Sequence, residues 1–152
     1  MTLTIPLDLN DSAPKYTLEM TENIAYTISL SEPVQTTVER LTEELKKLGF
    51  GVLSNIDVQR ILKEKIGADV GDYVILDVCS PKHAKQALDA HREVGLALPC
   101  KICVYSEKGA TKISLYRPTE ALKPLGFSDL DTLANEVELS LRTAVDAIST
   151  KR

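Results

Sequence analysis

One stretch of apolar residues with helical spacing constrains the fold of this chain more than any other feature. Its positions are four and three residues apart: Val34, Val38, Leu41, Leu45 and Leu48. Such spacing places all five side chains on one face of an α-helix that packs against a core. Ser31, Glu32 and Pro33 supply a capping hydroxyl, an acidic first turn and a proline where no amide donor is needed. Gly49 favours the end of the helix, because Gly accepts the left-handed conformation there.

Strand-like and helix-like patterns alternate along the rest of the chain. Strands are expected over 24–30, 50–56, 73–79, 100–105 and 112–117, with a turn at 107–109 between the last two. Further helices are expected from Asp57 to Gly67, from Ser80 to Gly95 and from about Ser128 onward, with an irregular segment over 118–127. The hairpin is antiparallel and no Gly-rich phosphate loop follows a strand, so a doubly wound nucleotide fold is disfavoured. We predict an α+β fold, a mixed and mostly antiparallel sheet of about five strands with helices packed on it.

The first 21 residues form a separate pattern. Leu3, Ile5, Leu7 and Leu9 alternate with polar or small residues, and a second alternating stretch follows a turn-rich break. This pattern indicates a hairpin or an extended arm, which we expect to pair with another subunit. We therefore divide the chain into an arm over 1–21 and one α+β domain over 22–152, a size typical of a single domain.

Composition and charge exclude several classes of function. The net charge is −4, the 18 basic residues are scattered, and the chain has no Trp and two Phe. Nucleic acid binding is disfavoured, because it requires a basic surface and aromatic stacking. No apolar run is long enough to span a membrane, and no secretory signal pattern opens the chain. Three cysteines, an odd number, favour reduced thiols in the cytoplasm. We expect no cofactor.

Cys79 is the most informative residue for function. It ends a buried strand and precedes Ser80 and Pro81, which open a helix. Amide groups and the positive end of a helix dipole lower the pKa of a neighbouring thiol and also favour bound anions. Asp77 lies on the same strand face and opposes that effect by its charge. The alternative is a small buried hydrophobic residue, as most free cysteines are.

Cys100 and Cys103 form a C-x2-C pair within a predicted strand. Two residues three apart on a strand face opposite sides, so these thiols do not converge on one metal ion. We therefore expect no metal site. A less favoured hypothesis places a metal or haem between Cys79 and His83.

The two histidines lie on the predicted third helix. His83 is in its first turn, where it could serve Cys79 as a base or a ligand, although a surface position is favoured. His91 lies on the apolar face, which indicates a hydrogen-bonded core histidine.

Several short motifs occur together in a recognisable order. They are Gly49-Phe50, Ile56-Asp57, the strand 73–76, the run from Cys79 to Ala84, and Leu98-Pro99-Cys100. In this combination the chain resembles the family catalogued as domain of unknown function 302, over about residues 24–148. That family shows Cys-Asn-Pro at the start of this helix, whereas Ser80 stands here, a residue that also caps helices.

The resemblance implies a compact α+β domain, commonly a homodimer, in bacteria and archaea. It makes Cys79 and Cys100 equivalent to the two signature cysteines of the family, with Pro81 and Pro99 as their neighbours. It also implies a link to sulfur and thiol metabolism. Cys103 and the N-terminal 21 residues are not part of the family pattern.

Two functional hypotheses remain. In the first, Cys79 and Cys100 form a site that binds or handles a small anionic or thiol ligand, with Ser80, Pro81, His83 and Asp77 as binding residues. In that site Cys79 is the reactive thiol, and Cys100 either resolves its product or shapes the pocket. In the second, the protein is a non-catalytic homodimeric interaction module whose cysteines only pack. Whether the protein is an enzyme is left open by the sequence.

Overall fold

The computed structural model describes residues 24–150. The arm predicted over 1–21 lies outside the described residues. Over the residues that are described, no helix is long and apolar enough to cross a membrane.

Five strands form one sheet. They are β1 (Ala25–Leu30), β2 (Gly51–Asp57), β3 (Tyr73–Cys79), β4 (Cys100–Glu107) and β5 (Ala110–Tyr116). Their order across the sheet is β1-β5-β4-β3-β2, and every neighbouring pair is antiparallel. The α+β prediction is therefore confirmed, with an antiparallel sheet.

The helices follow the predicted order with shifted boundaries. They are α1 (Val34–Lys47), α2 (Val58–Ile66), α3 (Pro81–Ala90), α4 (Pro118–Leu122) and α5 (Asp131–Thr150). Three 3-10 turns accompany them, at Arg92–Ala97, Lys123–Leu125 and Ser128–Leu130. The segment 118–127, expected to be irregular, thus holds a short helix and a 3-10 turn.

The start of α1 and the end of α3 differ from the prediction. Pro33 is the cap of α1, so Ser31 does not cap it and no acid lies in its first turn. Glu32 instead accepts a hydrogen bond of 2.6 Å from Arg40. Helix α3 stops at Ala90 because His91 has an extended backbone, with φ −147° and ψ 114°.

The main core lies between one face of the sheet and helices α1 and α5. Leu41 and Leu45 of α1 and Leu141 of α5 are fully buried there. The strands alternate as their period of two requires. On β3, Val74, Leu76 and Val78 are buried, whereas the residues between them are half-buried.

The other face of the sheet is only partly covered. We name it the open sheet face and define it by Tyr73, Ile75, Cys103 and Tyr105, which are paired across β3 and β4. The rings of Tyr73 and Tyr105 stack with centroids 5.0 Å apart. Burial, together with the neighbouring Cys103, raises the pKa of Tyr73 to about 12.

A second, smaller core joins α3 to the start of α5. Its buried members are Ala87, Val94 and Leu130. His91 stacks on Phe127 with ring centroids 3.9 Å apart, and its Nε2 lies 2.8 Å from an oxygen of Asp129. His91 is thus hydrogen-bonded as predicted, but the prediction that it lies in the core is wrong, because it follows α3 and is only half-buried. These contacts hold the segment after α3 against α5 and leave a space between the two cores.

The end of α1 depends on a glycine. The amide of Gly49 bonds the carbonyl of Lys46, and the amide of Phe50 bonds the carbonyl of Leu45, the hydrogen-bond pair of a Schellman motif. Gly49 has φ +84°, and a Cβ added there would meet no atom within 4 Å. Its requirement for glycine is therefore conformational and not steric.

Replacing Gly49 by alanine should lower the free energy of unfolding by about 1 kcal/mol, the cost of a left-handed conformation for a residue with a Cβ. Gly51→Ala is the matched control, because a Cβ there also meets no atom within 4 Å and its φ is not positive. Urea denaturation of both variants checks the prediction. Equal stability losses at positions 49 and 51 would contradict it.

Candidate functional site

A small cavity lies at one end of the sheet, in the space between the two cores. Val78 pairs with Cys100 and Ile102 pairs with Leu115, so β3 and β5 end where β4 begins. The cavity at this end has a volume of about 60 Å³. The strands supply its floor, and α3, α4 and α5 supply its walls.

The walls of the cavity are mostly short or apolar side chains. Five alanines line it, at positions 84, 87, 97, 121 and 134. Larger apolar residues complete the walls, among them Phe50, Leu98 and Val137. The alanines leave the space, because a longer side chain at any of these positions would extend into it. Sequence reasoning missed this cavity, since alanine on the inner face of a helix indicates ordinary close packing equally well.

Cys79 and Cys100 both line this cavity. Cys79 directly follows Val78, which is the partner of Cys100 in the sheet register. The two thiols are also electrostatic neighbours, because Cys79 contributes to the pKa of Cys100. The structure therefore brings together the two residues that sequence reasoning chose first.

The protonation of the two thiols differs from the expectation. Burial raises the pKa of Cys79 above its ordinary value, so the lowered pKa expected from its position before a helix is wrong. Burial and the neighbouring Cys79 raise the pKa of Cys100 to about 11. Pro81 contributes to this outcome, since the first residue of α3 has no N–H to offer the thiol. Both thiols are thus predominantly protonated at neutral pH.

Ser80 and His83 form the polar part of the cavity wall. Ser80 precedes α3 but makes no capping bond with its side chain. Its hydroxyl lies instead 2.8 Å from Nδ1 of His83, and Ser80 is buried with 8% of its surface exposed. The His83 ring stacks on Phe50, with centroids 6.4 Å apart. Its Nε2 lies 3.6 Å from a carboxylate oxygen of Glu136, a residue that sequence reasoning did not single out.

Asp77, a predicted binding residue, does not line the cavity. Its carboxylate accepts hydrogen bonds from Lys101 Nζ at 2.9 Å and from Ser54 Oγ at 2.6 Å. The hydrogen bond from Lys101 is the larger cause of the lowered pKa of Asp77, and the hydrogen bond from Ser54 is the second cause. Lys101 itself lines the cavity. Asp77 thus reaches the site through Lys101 and does not face the space directly.

Cys103 lies apart from the cavity, on the open sheet face opposite Ile75. Cys100 packs against the main core on the other side of the sheet. The prediction that the C-x2-C thiols face opposite sides is confirmed. Among residues 24–150, no group of three or more His, Cys, Asp or Glu side chains is placed to hold a metal ion.

Comparisons with known proteins agree with the geometry. Residues 26–148 match the family model described as Domain of unknown function DUF302. A crystal structure of the uncharacterized conserved protein DUF302 from Bacillus stearothermophilus is similar, with 40% sequence identity and a TM-score of 0.77. The match covers 81% of this chain and 96% of that chain. No curated protein matches the sequence.

The raised pKa of Cys100 predicts that this thiol is alkylated rapidly only at high pH. In a Cys79→Ser, Cys103→Ser variant, the rate of reaction with iodoacetamide should be half-maximal well above pH 9.0 and toward 11, because burial is the larger cause and remains. The same variant unfolded in urea should show the ordinary value. Since the folded state keeps its proton to higher pH, the free energy of unfolding should fall between these two pH values. A folded-state midpoint at or below the unfolded one would contradict the burial of Cys100.

Proposed function

The chain belongs to the DUF302 family. We propose that it binds a small, neutral sulfur compound beside Cys79 and captures it as a mixed disulfide. The observation that supports the proposal most directly is the single apolar cavity lined by Cys79, Cys100, Ser80 and His83. An apolar space with a few polar groups at one side is the usual form of a small-molecule site.

The charge of the lining favours a neutral ligand over an anionic one. Lys101 is the one Lys or Arg among the described residues that line the cavity, and its ammonium is bonded to Asp77. An anion entering this space would lose its hydration without gaining a free cation, which is costly in an apolar site. A neutral sulfur group loses little on entry.

The two thiols have different roles in the proposal. Cys100 has a pKa of about 11, which leaves on the order of one molecule in ten thousand as thiolate at pH 7. Such a thiol is a poor nucleophile, so Cys100 serves as a wall of the cavity. Cys79 lines the same cavity and is the reacting thiol, because burial alone raises its pKa, whereas burial and the neighbouring Cys79 together raise the pKa of Cys100.

The capture step is a simple thiol–disulfide exchange. Cys79 attacks one sulfur of a ligand R–S–S–R′, forming Cys79–S–S–R and breaking the ligand's S–S bond. The leaving R′–S⁻ takes up the proton that Cys79 gives up and departs as R′–SH. No other oxidant or reductant is needed. Ser80 and His83, which lie within 2.8 Å of each other, supply hydrogen-bonding groups beside the reacting sulfurs.

Reduced protein treated with dimethyl disulfide should acquire one methylthio group, as a mixed disulfide on Cys79. Peptide mass mapping over time locates the adduct. The Cys100→Ala variant should still be modified and the Cys79→Ala variant should not be modified in the cavity. Cys103 provides a reference thiol outside the cavity of the same molecule, and we expect it to react about ten times more slowly than Cys79.

A cavity-filling variant separates binding from simple reactivity. Ala84→Leu places a larger side chain in the cavity wall, whereas Ala90→Leu adds the same side chain at an exposed position of the same helix. The first substitution should slow modification of Cys79 and the second should not. If both variants react like the parent, the cavity does not bind the reagent and the proposal fails.

A second candidate function is a homodimeric interaction module. Helix α2 contains none of the buried residues, although its sequence has an apolar side. Ile61 and Ile66 of this helix and Val70 shortly after it are exposed, with Ile66 at 73%. Clustered exposed apolar side chains are typical of association surfaces. We propose that a second copy of the chain covers α2, as a function separate from the ligand site.

Charge placed on this helix should separate the two copies. Ile66→Asp is expected to shift the mass in size-exclusion chromatography with light scattering from dimer to monomer, because a carboxylate would be desolvated in the interface. Leu139→Asp is the matched control, since Leu139 is 69% exposed on α5. A monomeric parent protein, or equal effects of both substitutions, would rule out this surface.

A further inference from the structure

A larger apolar groove adjoins the cavity. It has a volume of about 290 Å³. Leu96, Pro124 and Leu125 line it and do not line the cavity. The groove and the cavity are adjacent, because six residues line both spaces: Ala97, Leu98, Pro99, Lys101, Tyr116 and Ala121.

The two volumes limit what each space can hold. A cavity of about 60 Å³ has room for a few non-hydrogen atoms, because one water needs roughly 10–15 Å³ by a comparable measure. Sites for whole small molecules are larger, about 300–1,000 Å³. The cavity therefore accepts one end of a ligand, and the rest of that ligand must lie outside it. The groove, at about 290 Å³, is the adjoining space of suitable size.

The chemistry of the groove favours an uncharged chain. The residues that belong to the groove and not to the cavity are two leucines and a proline. Lys101 stands at the junction, with its ammonium bonded to Asp77 on the neighbouring strand. Its methylene stem can therefore face the ligand while its charge is satisfied elsewhere.

We propose that the ligand is elongated, with its sulfur end in the cavity beside Cys79 and an unbranched apolar chain lying along the groove past Leu98 to Leu125. This inference rests on the proposed function and adds the substrate class, a straight-chain aliphatic disulfide. A bulky or highly charged sulfur metabolite fits this arrangement poorly.

Alkyl methanethiosulfonates of increasing chain length provide the test. Each reagent R–S–SO₂CH₃ transfers R–S to a thiol, forming a disulfide and releasing methanesulfinic acid. The measurement is the rate at Cys79 relative to the rate at Cys103 in the Cys100→Ala variant, for methyl, butyl and hexyl reagents. This ratio should rise about ten-fold or more from methyl to hexyl, since each methylene taken out of water favours binding.

Two variants show where the chain lies. Leu125→Asp places a charge in the groove and should abolish the gain with chain length. Leu139→Asp adds the same charge at an exposed position of α5 outside both spaces and should leave that gain unchanged.

The outcomes distinguish this inference from the proposed function. If the methyl reagent reacts at Cys79 and is slowed by Ala84→Leu, but longer chains bring no gain, the groove inference is overturned and the cavity proposal stands. An equal gain at Cys103, or a gain that survives Leu125→Asp, also overturns the groove. If the methyl reagent shows no preference for Cys79 and no response to Ala84→Leu, both proposals fail together.

Discussion

The antiparallel register between β3 and β4 determines everything found at the candidate site. Val78 pairs with Cys100, and β3 ends one residue later. Cys79 therefore leaves the sheet at the end where Cys100 enters it, although 20 residues separate them in the chain. Those residues form α3 and the turn after it, which return along the sheet end and close the cavity against α5. A slip of one residue in this register would turn every side chain of β4 to the opposite face, so Cys100 would no longer pack against the main core.

Two physical effects compete at Cys79, and burial is the stronger. A position before a helix stabilises a thiolate through amide groups and the helix dipole. Desolvation opposes this, and in this protein it raises the pKa of the thiol. The first amide of α3 is missing because Pro81 has none, and the Ser80 hydroxyl bonds His83. A thiol that stays protonated at neutral pH is less suited to rapid nucleophilic catalysis than a thiolate.

Local signals were sufficient to predict the elements, and tertiary contacts decided the remainder. The spacing from Val34 to Leu45 and the glycine at 49 were sufficient for α1, and Asp57 caps α2 as expected. The break at His91 was not predictable, because it depends on Phe127 and Asp129, which are distant in sequence. The pairing of Cys79 with Cys100 in one site was expected from the family resemblance. The cavity and its groove were missed, since they are formed by residues of several elements that are distant from one another in sequence.

The proposed function requires that the space beside Cys79 accepts the sulfur-bearing end of a ligand. A crystal structure of the protein after reaction with dimethyl disulfide tests this directly. The methylthio group on Cys79 should lie inside the cavity, between the side chains of Phe50, Ala84 and Leu98. A methylthio group directed into solvent, or a cavity closed around an unmodified Cys79, would contradict the proposed function.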